Sequence, residues 1–528
     1  MTPIKKSALA ATTLAALSLV NLGHAADDME RYIVKFKTGT GQGVAASVAQ
    51  SKGKVERVLA NYDAMAVSLP APALKGLEHN PNVEYVEADT KRYLMSQTVP
   101  YGIPMVQADM LSDAAASNTL VCIIDSGYDG SHEDLNHNGA VQGTNDAGTG
   151  NWYTDENSHG THVAGTIAGV ANDVGVVGVL PNSNLNLHII KVFGADGWAY
   201  SSGLVAALDA CKAAKTDRQL ERMVINMSLG GSRSNRTEMG AFDQAFAEGI
   251  LSIAAAGNDG NTRHSYPASY DSVISVAAID EHKLVADFSQ KTNQVELSGP
   301  GVGVLSSVPM NSAAKSDLTV NGAAIASAMM DGSPIQSVSG DLVDCGTGEA
   351  SCAASGKICL IARGNVSFAD KVLNCESNGG IGAVIYNNEP GMLYGTLGET
   401  ATSIPSVGIS DTDGAALQAS LGTADLAVAT DHYAYFDGTS MATPHVVGVA
   451  ALVWSNNPTC SNAEVRSALA STAEDLGVAG RDDAYGYGLV RAYDAHLALA
   501  NCTGSSGGGD TGGGGKPSKG PKGKPTSK

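Results

Sequence analysis

The sequence predicts an α/β protein built on a parallel sheet sandwiched by helices. Three observations carry this. TLVCIID, NLHIIKVF, RMVINMSL, ILSIAAAG and SVISVAAI are short unbroken apolar runs, the mark of strands buried on both faces. Helical periodicity separates most of them, and that alternation gives a parallel sheet. Apolar residues make up 43% and charged residues 16% of 528 positions, enough for a large core and more than one core usually covers, so several domains are expected.

Taken in order, residues 1–26 begin with Lys5 and Lys6, pass through an apolar run, and end in small residues at Ala25 and Ala26. That is a secretory signal; a membrane anchor needs about 20 predominantly apolar residues. No later stretch is long and apolar enough to span a bilayer, so a secreted, extracellular, soluble protein without a membrane span is expected. Residues 27–95 alternate strand-like runs (RYIVKFK, AMAVSLP, VEYVEAD) with helical ones (GVAASVAQSKG, ALKGLEHNP). The resulting β-α-β-β-α-β order, ferredoxin-like, implies a small independent α/β unit.

The parallel-sheet pattern fills 96–310, opening with a helix-like stretch around Met105 to Ala115. Over 311–430 the composition turns to Gly, Ser and Ala, with strands in KICLIARG and GAVIYNN and a helix in FADKVLNCESN. This reads as a smaller, β-rich inserted domain. The sheet-forming chain resumes over 431–503, where the apolar run after Pro444 reads as a buried helix. The Gly- and Lys-rich end, 504–528, cannot bury apolar area and reads as a flexible tail.

A net charge of -20 argues against a nucleic-acid partner, since phosphate binding needs clustered positive charge. The eight cysteines are an even number, and export makes disulfides the natural reading. Sequence alone does not fix the connectivity. Proximity suggests that Cys345, Cys352, Cys359 and Cys375 pair among themselves, Cys460 with Cys502, and Cys122 with Cys211. No CxxC pair occurs, against a zinc ribbon.

Four stretches carry chemistry. In LVCIIDSGYDGSHEDL a buried strand ends on Asp125; in NSHGTHVAGTIAG, His159 and His162 open a helix; in AAAGNDG a strand ends in small residues and Asn258. In FDGTSMATPHV, Ser440 sits among small residues before a proline. A serine hydroxyl is a poor nucleophile unless a base takes its proton and a third group orients that base. The chain order Asp, His, Ser is one known order of the serine triad and differs from that of α/β-hydrolases. Gly438-Thr439-Ser440-Met441-Ala442 also lacks the last glycine of a lipase or esterase elbow, and GPGVG at 299–303 lacks the spacing and lysine of a nucleotide loop.

With these motifs in this order, the sequence resembles the subtilisin-like serine proteases (subtilases, peptidase family S8) over nearly all of 97–309 and 432–499. The resemblance implies a triad of Asp125, His159 and Ser440, with Asn258 and the backbone N–H of Ser440 as oxyanion donors. His162 is similar to a non-catalytic family histidine. GADGWAY and SLGG resemble the two segments that pair with an extended peptide. Gly197, Trp198 and Ala199, with Ser228, Leu229 and Gly230, are then edge strands for β-augmentation, which predicts broad endopeptidase action. Ser265 falls near the floor of the first specificity pocket and Asp259 near its mouth.

Gln97, Asp134, Val170, Asn172, Val174 and Val176 match the positions that hold a structural calcium in subtilisins, a hard cation that wants oxygen ligands. DLNHNG, starting at Asp134, partly fits a second calcium loop but lacks its bidentate glutamate. No organic cofactor is implied. Residues 27–95 resemble the I9-type inhibitory propeptides, whose C-terminal strand lies in the active site and is cut by the enzyme itself. SQTVPYGI resembles a mature start, which puts cleavage near Met95 and makes the chain a zymogen. The insert resembles a protease-associated (PA) domain with a substrate-gating or binding role, its core being KICLIARGNVSFADKVLNCESNGGIGAVIYNN. Met441 beside the nucleophile predicts partial inactivation by peroxide. Implied partners are protein and peptide substrates and the chain's own propeptide, on a monomer. Two competing readings are disfavoured because every triad member is present: a secreted binding protein on a silent scaffold, and an acid-type relative with glutamate in place of His159.

Overall fold

The computed structural model describes residues 29–70, 73–88, 97–135, 141–183, 185–398, 400–500 and 502. It divides into two compact units, Met1–Leu94 and Met95–Lys528. The signal segment, the expected cleavage point near Met95, most of DLNHNG and the Gly/Lys-rich tail lie outside the described residues.

In the first unit, Lys54–Leu59, Ala64–Pro70, Met29–Phe36 and Val83–Ala88 form a four-stranded antiparallel sheet in that spatial order. Helix Gly41–Gln50 turns Val44 and Val48 into a core with Val34, Phe36, Val67 and Leu69. This is the split β-α-β arrangement that the alternating runs imply.

The second unit is organised by a seven-stranded sheet. Its spatial order is Val295–Pro300, Val273–Ile279, Ile250–Ala255, Arg222–Met227, Thr119–Asp125, Asn186–Lys191, Gln142–Asn145. Every pairing in it is parallel. The central strand Thr119–Asp125 explains why its sequence is unbroken apolar. Val121 and Ile123 enter the core built on helix Thr439–Asn456, while Leu120, Cys122 and Ile124 enter the one built on helices Ser201–Asp217 and Arg236–Ala247. From this strand the chain runs to one side of the sheet first and then to the other, and such a switch point opens a crevice at the strand C-terminal ends. The single helix expected around Met105 to Ala115 is instead one turn, Gly102–Met105, followed by 3-10 turns at Ala108–Met110 and Ala116–Asn118. Gln107 at φ 61° interrupts it.

An antiparallel ribbon, Val304–Ser307 with Tyr433–Phe436, leads out of this sheet's domain and back. It runs into the antiparallel pair Ala313–Val320 and Thr423–Asp431, two members of an eight-stranded sheet. Within that sheet Gln336–Asp344, Ile358–Ala362, Gly382–Tyr386 and Ser406–Ile409 run parallel. Disulfides Cys345–Cys352 and Cys359–Cys375 lie in the insert, Cys122–Cys211 ties the central strand to a helix, and Cys460–Cys502 holds the C-terminal end. Among the described residues no helix is long and apolar enough to cross a membrane.

Candidate active site

Asp125 ends the central strand and is fully buried. Its Oδ1 accepts from the backbone N–H of Ser126 at 2.7 Å and lies 2.7 Å from His159 Nδ1. Helix His159–Ala168 starts directly above it. The approach needs a glycine second in the helix, because a Cβ on Gly160 would lie 2.3 Å from the Gly127 carbonyl oxygen. Two N–H groups at the helix start are taken by side chains: Gly160 donates to Ser126 Oγ and Thr161 to Asp155 Oδ2, both at 2.9 Å.

Asp155 was missed from sequence. It is buried and also accepts from the Ser126 and Thr161 hydroxyls and from the N–H groups of Asn157 and Ser158. An acid just ahead of a helix start was the available signal, since such carboxylates cap helices and favour their positive end. Burial acts to lower the pKa of His159, but the charge and hydrogen bond of Asp125, with the charge of Asp155, outweigh it and raise it above the ordinary 6.5.

Ser440 is the second residue of the buried helix Thr439–Asn456. The preceding Gly438 has φ 155° and ψ 156°, a conformation essentially reserved for glycine. Pro444 lies inside the helix and has no N–H, so the carbonyl of Ser440 four residues earlier lacks a helical partner. The hydroxyl of Ser228 fills the gap, donating to that carbonyl at 2.7 Å, and Ser440 Oγ donates in return to the Ser228 carbonyl at 3.2 Å. The Ser440 hydroxyl thus rests on Ser228, and among the described residues it has no hydrogen bond to His159. Triad hydrogen bonds commonly tighten only around substrate.

Asn258 follows strand Ile250–Ala255. Its Oδ1 accepts from the backbone N–H of Thr439 at 2.9 Å and the Thr439 hydroxyl at 2.8 Å. Because the backbone N–H can only donate, the amide's orientation is fixed. The NH2 group faces the Gly438 turn, with Nδ2 3.5 Å from where a Cβ on Gly438 would sit.

Two depressions flank these groups. A cleft of about 390 Å³ is lined by Asp125, His159, the segment Gly197 to Tyr200, Ser228 to Gly231, and Glu238. A second, of about 310 Å³, is lined by Asn258, Asp259, Ser265, Gln290, Gly257 and Ser440 among others. Ser265 is buried beside Gly230, and Asp259 is exposed. Gln290, also missed from sequence, stands under Gly257, where a Cβ would fall 1.7 Å from its Oε1. The expected edge strands Gly197 to Ala199 and Ser228 to Gly230 are not strands. Among the described residues neither pairs with a strand, and Gly197 sits at φ 68°.

His162 lies one turn after His159, on the ribbon side. Its Nε2 is 3.0 Å from the Val304 carbonyl and 3.2 Å from that of Ala434, and its ring stacks on Phe436 at 4.3 Å. Burial pushes its pKa down to about 3, so it is neutral and serves to hold the ribbon. The residues matched to a calcium site also converge. Gln97 Nε2 lies 2.6 Å from the Val170 carbonyl, 3.1 Å from that of Val176 and 3.4 Å from Asn172 Oδ1. Val174 N–H donates to Asn172 Oδ1 at 3.1 Å, and Val176 N–H to Asp134 Oδ2 at 2.7 Å. Among the described residues, the buried Asp134 Oδ1 has no hydrogen-bond partner.

The model of the subtilase family matches residues 116–488. Subtilisin E of Bacillus subtilis (strain 168) is 29% identical over 476 residues, 88% of this chain and 90% of that protein. Alkaline elastase YaB of Bacillus sp. (strain YaB) is 30% identical over 430 residues, 81% of this chain and 78% of that protein. The crystal structure of the psychrophilic subtilisin-like protease Apa1 from the Antarctic psychrotroph Pseudoalteromonas sp. AS-11 is similar in fold, with a TM-score of 0.58 and 45% identity. It covers 76% of this chain and 98% of that chain.

Proposed function

This chain belongs to the subtilase family of serine endopeptidases, and from that premise we propose that it is a secreted endopeptidase of broad specificity, using Ser440, His159 and Asp125, released from its own inhibitory propeptide. The observation that carries the site assignment is the joint geometry of Asp125 Oδ1, 2.7 Å from His159 Nδ1, and Asn258, clamped by Thr439 so that its NH2 faces the turn before Ser440. Asp125 fixes the imidazole tautomer and stabilises the cation that forms as His159 takes the Ser440 proton. Ser440 Oγ attacks the peptide carbonyl, and the oxygen that becomes negative meets Asn258 Nδ2 and the Ser440 N–H. A side-chain donor of this kind contributes about 3 to 4 kcal/mol. His159 then returns its proton to the leaving amine, and water repeats the sequence on the acyl-enzyme.

The substrate backbone completes the ladder that Gly197 to Ala199 and Ser228 to Gly230 leave open, and backbone pairing tolerates many side chains. The calcium matched by resemblance fits the residues present. Asp134, Asn172, the carbonyls of Val170, Val174 and Val176, and Gln97, with its amide turned over so that the oxygen replaces Nε2, would hold it, and Asp134 Oδ1, unpartnered among the described residues, is the kind of oxygen it would satisfy. Residues that would hold such an ion come from the segment around Gln97 and from the loop after helix His159–Ala168, which it would tie together.

The β-α-β-β-α-β architecture of the first unit supports its assignment as an intramolecular inhibitor, cut near Met95 by the enzyme itself. The insert is assigned a PA-type role in admitting protein substrates. Casein hydrolysis by the secreted protein, with and without a fluorophosphonate, tests the whole reading. Activity lost on labelling, with the label mapped to Ser440 and a mature start near Ser96, is the expected result. A folded, processed chain that neither hydrolyses nor labels is instead a binding protein on a protease scaffold.

A further inference from the structure

Glu238 has an unusual position for a carboxylate. It is 4% exposed and lies in the wall of the cleft that holds His159. The same cleft is lined by the apolar or aromatic Leu204, Leu229, Tyr266, Trp198 and Tyr200, together with polar Asn157, Ser201, Ser228 and Arg233. One oxygen has a structural task. Glu238 is the third residue of helix Arg236–Ala247, whose cap Asn235 takes the Glu238 N–H on its side chain. The Tyr270 hydroxyl accepts from the Asn235 N–H at 2.9 Å and donates to Glu238 Oε2 at 2.6 Å. Tyrosine thereby bridges what a capping box would close directly.

The other oxygen, Oε1, has no hydrogen-bond partner among the described residues, and no described Lys, Arg or His forms an ion pair with the group. Arg233 lines the same cleft but is exposed and is not paired with Glu238. A buried carboxylate without a cation is costly, and burial raises the pKa of Glu238 despite the Tyr270 bond. A helix cap alone would need neither a position in this wall nor a second free oxygen.

We propose, on the premise that this cleft takes the acyl side of a peptide substrate, that Glu238 is a specificity residue selecting a lysine or arginine side chain upstream of the scissile bond. The aliphatic stem of such a side chain lies along the Trp198, Tyr200 and Tyr266 rings, as long cationic side chains do on apolar surface, and its head reaches Oε1. Edge segments that recognise only backbone are thus combined with one charged selector away from the pocket beside Asn258.

The test uses fluorogenic peptides identical except at one residue, with lysine, norleucine or glutamate placed in turn at each of several positions upstream of the cleaved bond. In the mature wild-type protein, one position is expected to favour lysine over norleucine by about tenfold in kcat/KM, with glutamate the poorest, as for a close, partly desolvated charge pair. Glu238→Gln keeps an acceptor for Tyr270 and removes the charge, so the lysine-to-norleucine ratio falls toward one. Tyr270→Phe, which leaves the carboxylate in place, retains a preference for lysine. Equal rates with lysine and norleucine at every position in the wild-type protein, or an unchanged ratio in Glu238→Gln, overturn the proposal while leaving the endopeptidase reading intact. Failure of the wild-type protein to cleave any peptide overturns both.

Discussion

The two sheets of the second unit look alike on several counts and differ in one that matters. Each is wide, with seven strands in one and eight in the other. Each buries a lysine completely, Lys191 in one domain and Lys371 in the other. In the seven-stranded sheet polar groups gather where strands end: Asp125, Lys191 and Ser228, just beyond Met227, are buried, and Asn258, three residues past Ala255, is exposed. Lys191 there pairs with Glu156 and donates to the Thr154 carbonyl at 2.8 Å. In the insert, the four parallel strands end on Asp344, which is exposed, and on Ala362, Tyr386 and Ile409; the buried Asn387 just beyond Tyr386 accepts from Arg363, and Lys371 donates to a backbone carbonyl, that of Thr347. Parallel strands therefore do not make a catalyst by themselves. What does is the convergence of a nucleophile, a base and an orienting acid at one switch point.

That contrast can be broken most decisively at Ser440. Ser440→Ala is expected to lower kcat on peptides by about ten-thousand-fold or more, the scale of triad lesions in serine proteases; a loss below tenfold in steady-state assays of the pure protein would move the chemistry elsewhere. Asn258→Ala should lower kcat by about a hundred- to a thousand-fold with little change in KM, the loss known for this donor in subtilisin. A rise in KM at constant kcat would instead make Asn258 a ground-state contact.

The acid limb of kcat/KM sharpens the electrostatic side. His159 must be neutral to accept the proton, and its pKa is raised. Activity should therefore fall as pH drops through a value above 6.5, by about tenfold per pH unit beyond it. A limb at or below the ordinary histidine value contradicts the roles given to Asp125 and Asp155.

Replacing 313–431 with a short turn that closes the ribbon Val304–Ser307 and Tyr433–Phe436 addresses the other sheet. Rates on short peptides should stay unchanged while rates on folded or large proteins shift; equal rates on both would make the insert passive. The smallest effect is expected from peroxide. Met441 is buried next to the nucleophile, its sulfur 3.6 Å from where a Cβ on Gly438 would sit, so a sulfoxide crowds the turn that positions Ser440. Partial loss of activity is predicted, and Met441→Ser should be resistant.

Much of this was legible before any coordinates. Strands buried on both faces announce themselves as unbroken apolar runs, and each of Asp125, His159, Asn258 and Ser440 sits at an abrupt junction between such a run and small residues. The groups missed from sequence owe their roles wholly or partly to distant neighbours, Asp155 alone having a local helix-start signal as well. Asp155 acts through Ser126 and Thr161, Gln290 through a close approach to Gly257, and Glu238 through Tyr270, more than thirty positions away. No periodicity encodes such meetings. The Gly197 to Ala199 and Ser228 to Gly230 segments are not strands because a strand is defined by its partner, and on the proposed function theirs is the substrate.

The ribbon has a consequence measured in time. Asn258 and Thr439, which clamp each other beside the nucleophile, are separated by 181 positions along the chain, and the insert occupies most of that interval. At about 5 to 20 residues per second, the ribosome finishes His159 and Asp125 on the order of fifteen to fifty-five seconds before it makes Ser440. Until then the sheet also lacks helix Thr439–Asn456, against which Val121 and Ile123 bury. However the chain emerges, N-terminus first, the final part to arrive is both the keystone of the core and the reactive group, so a growing chain carries no complete triad.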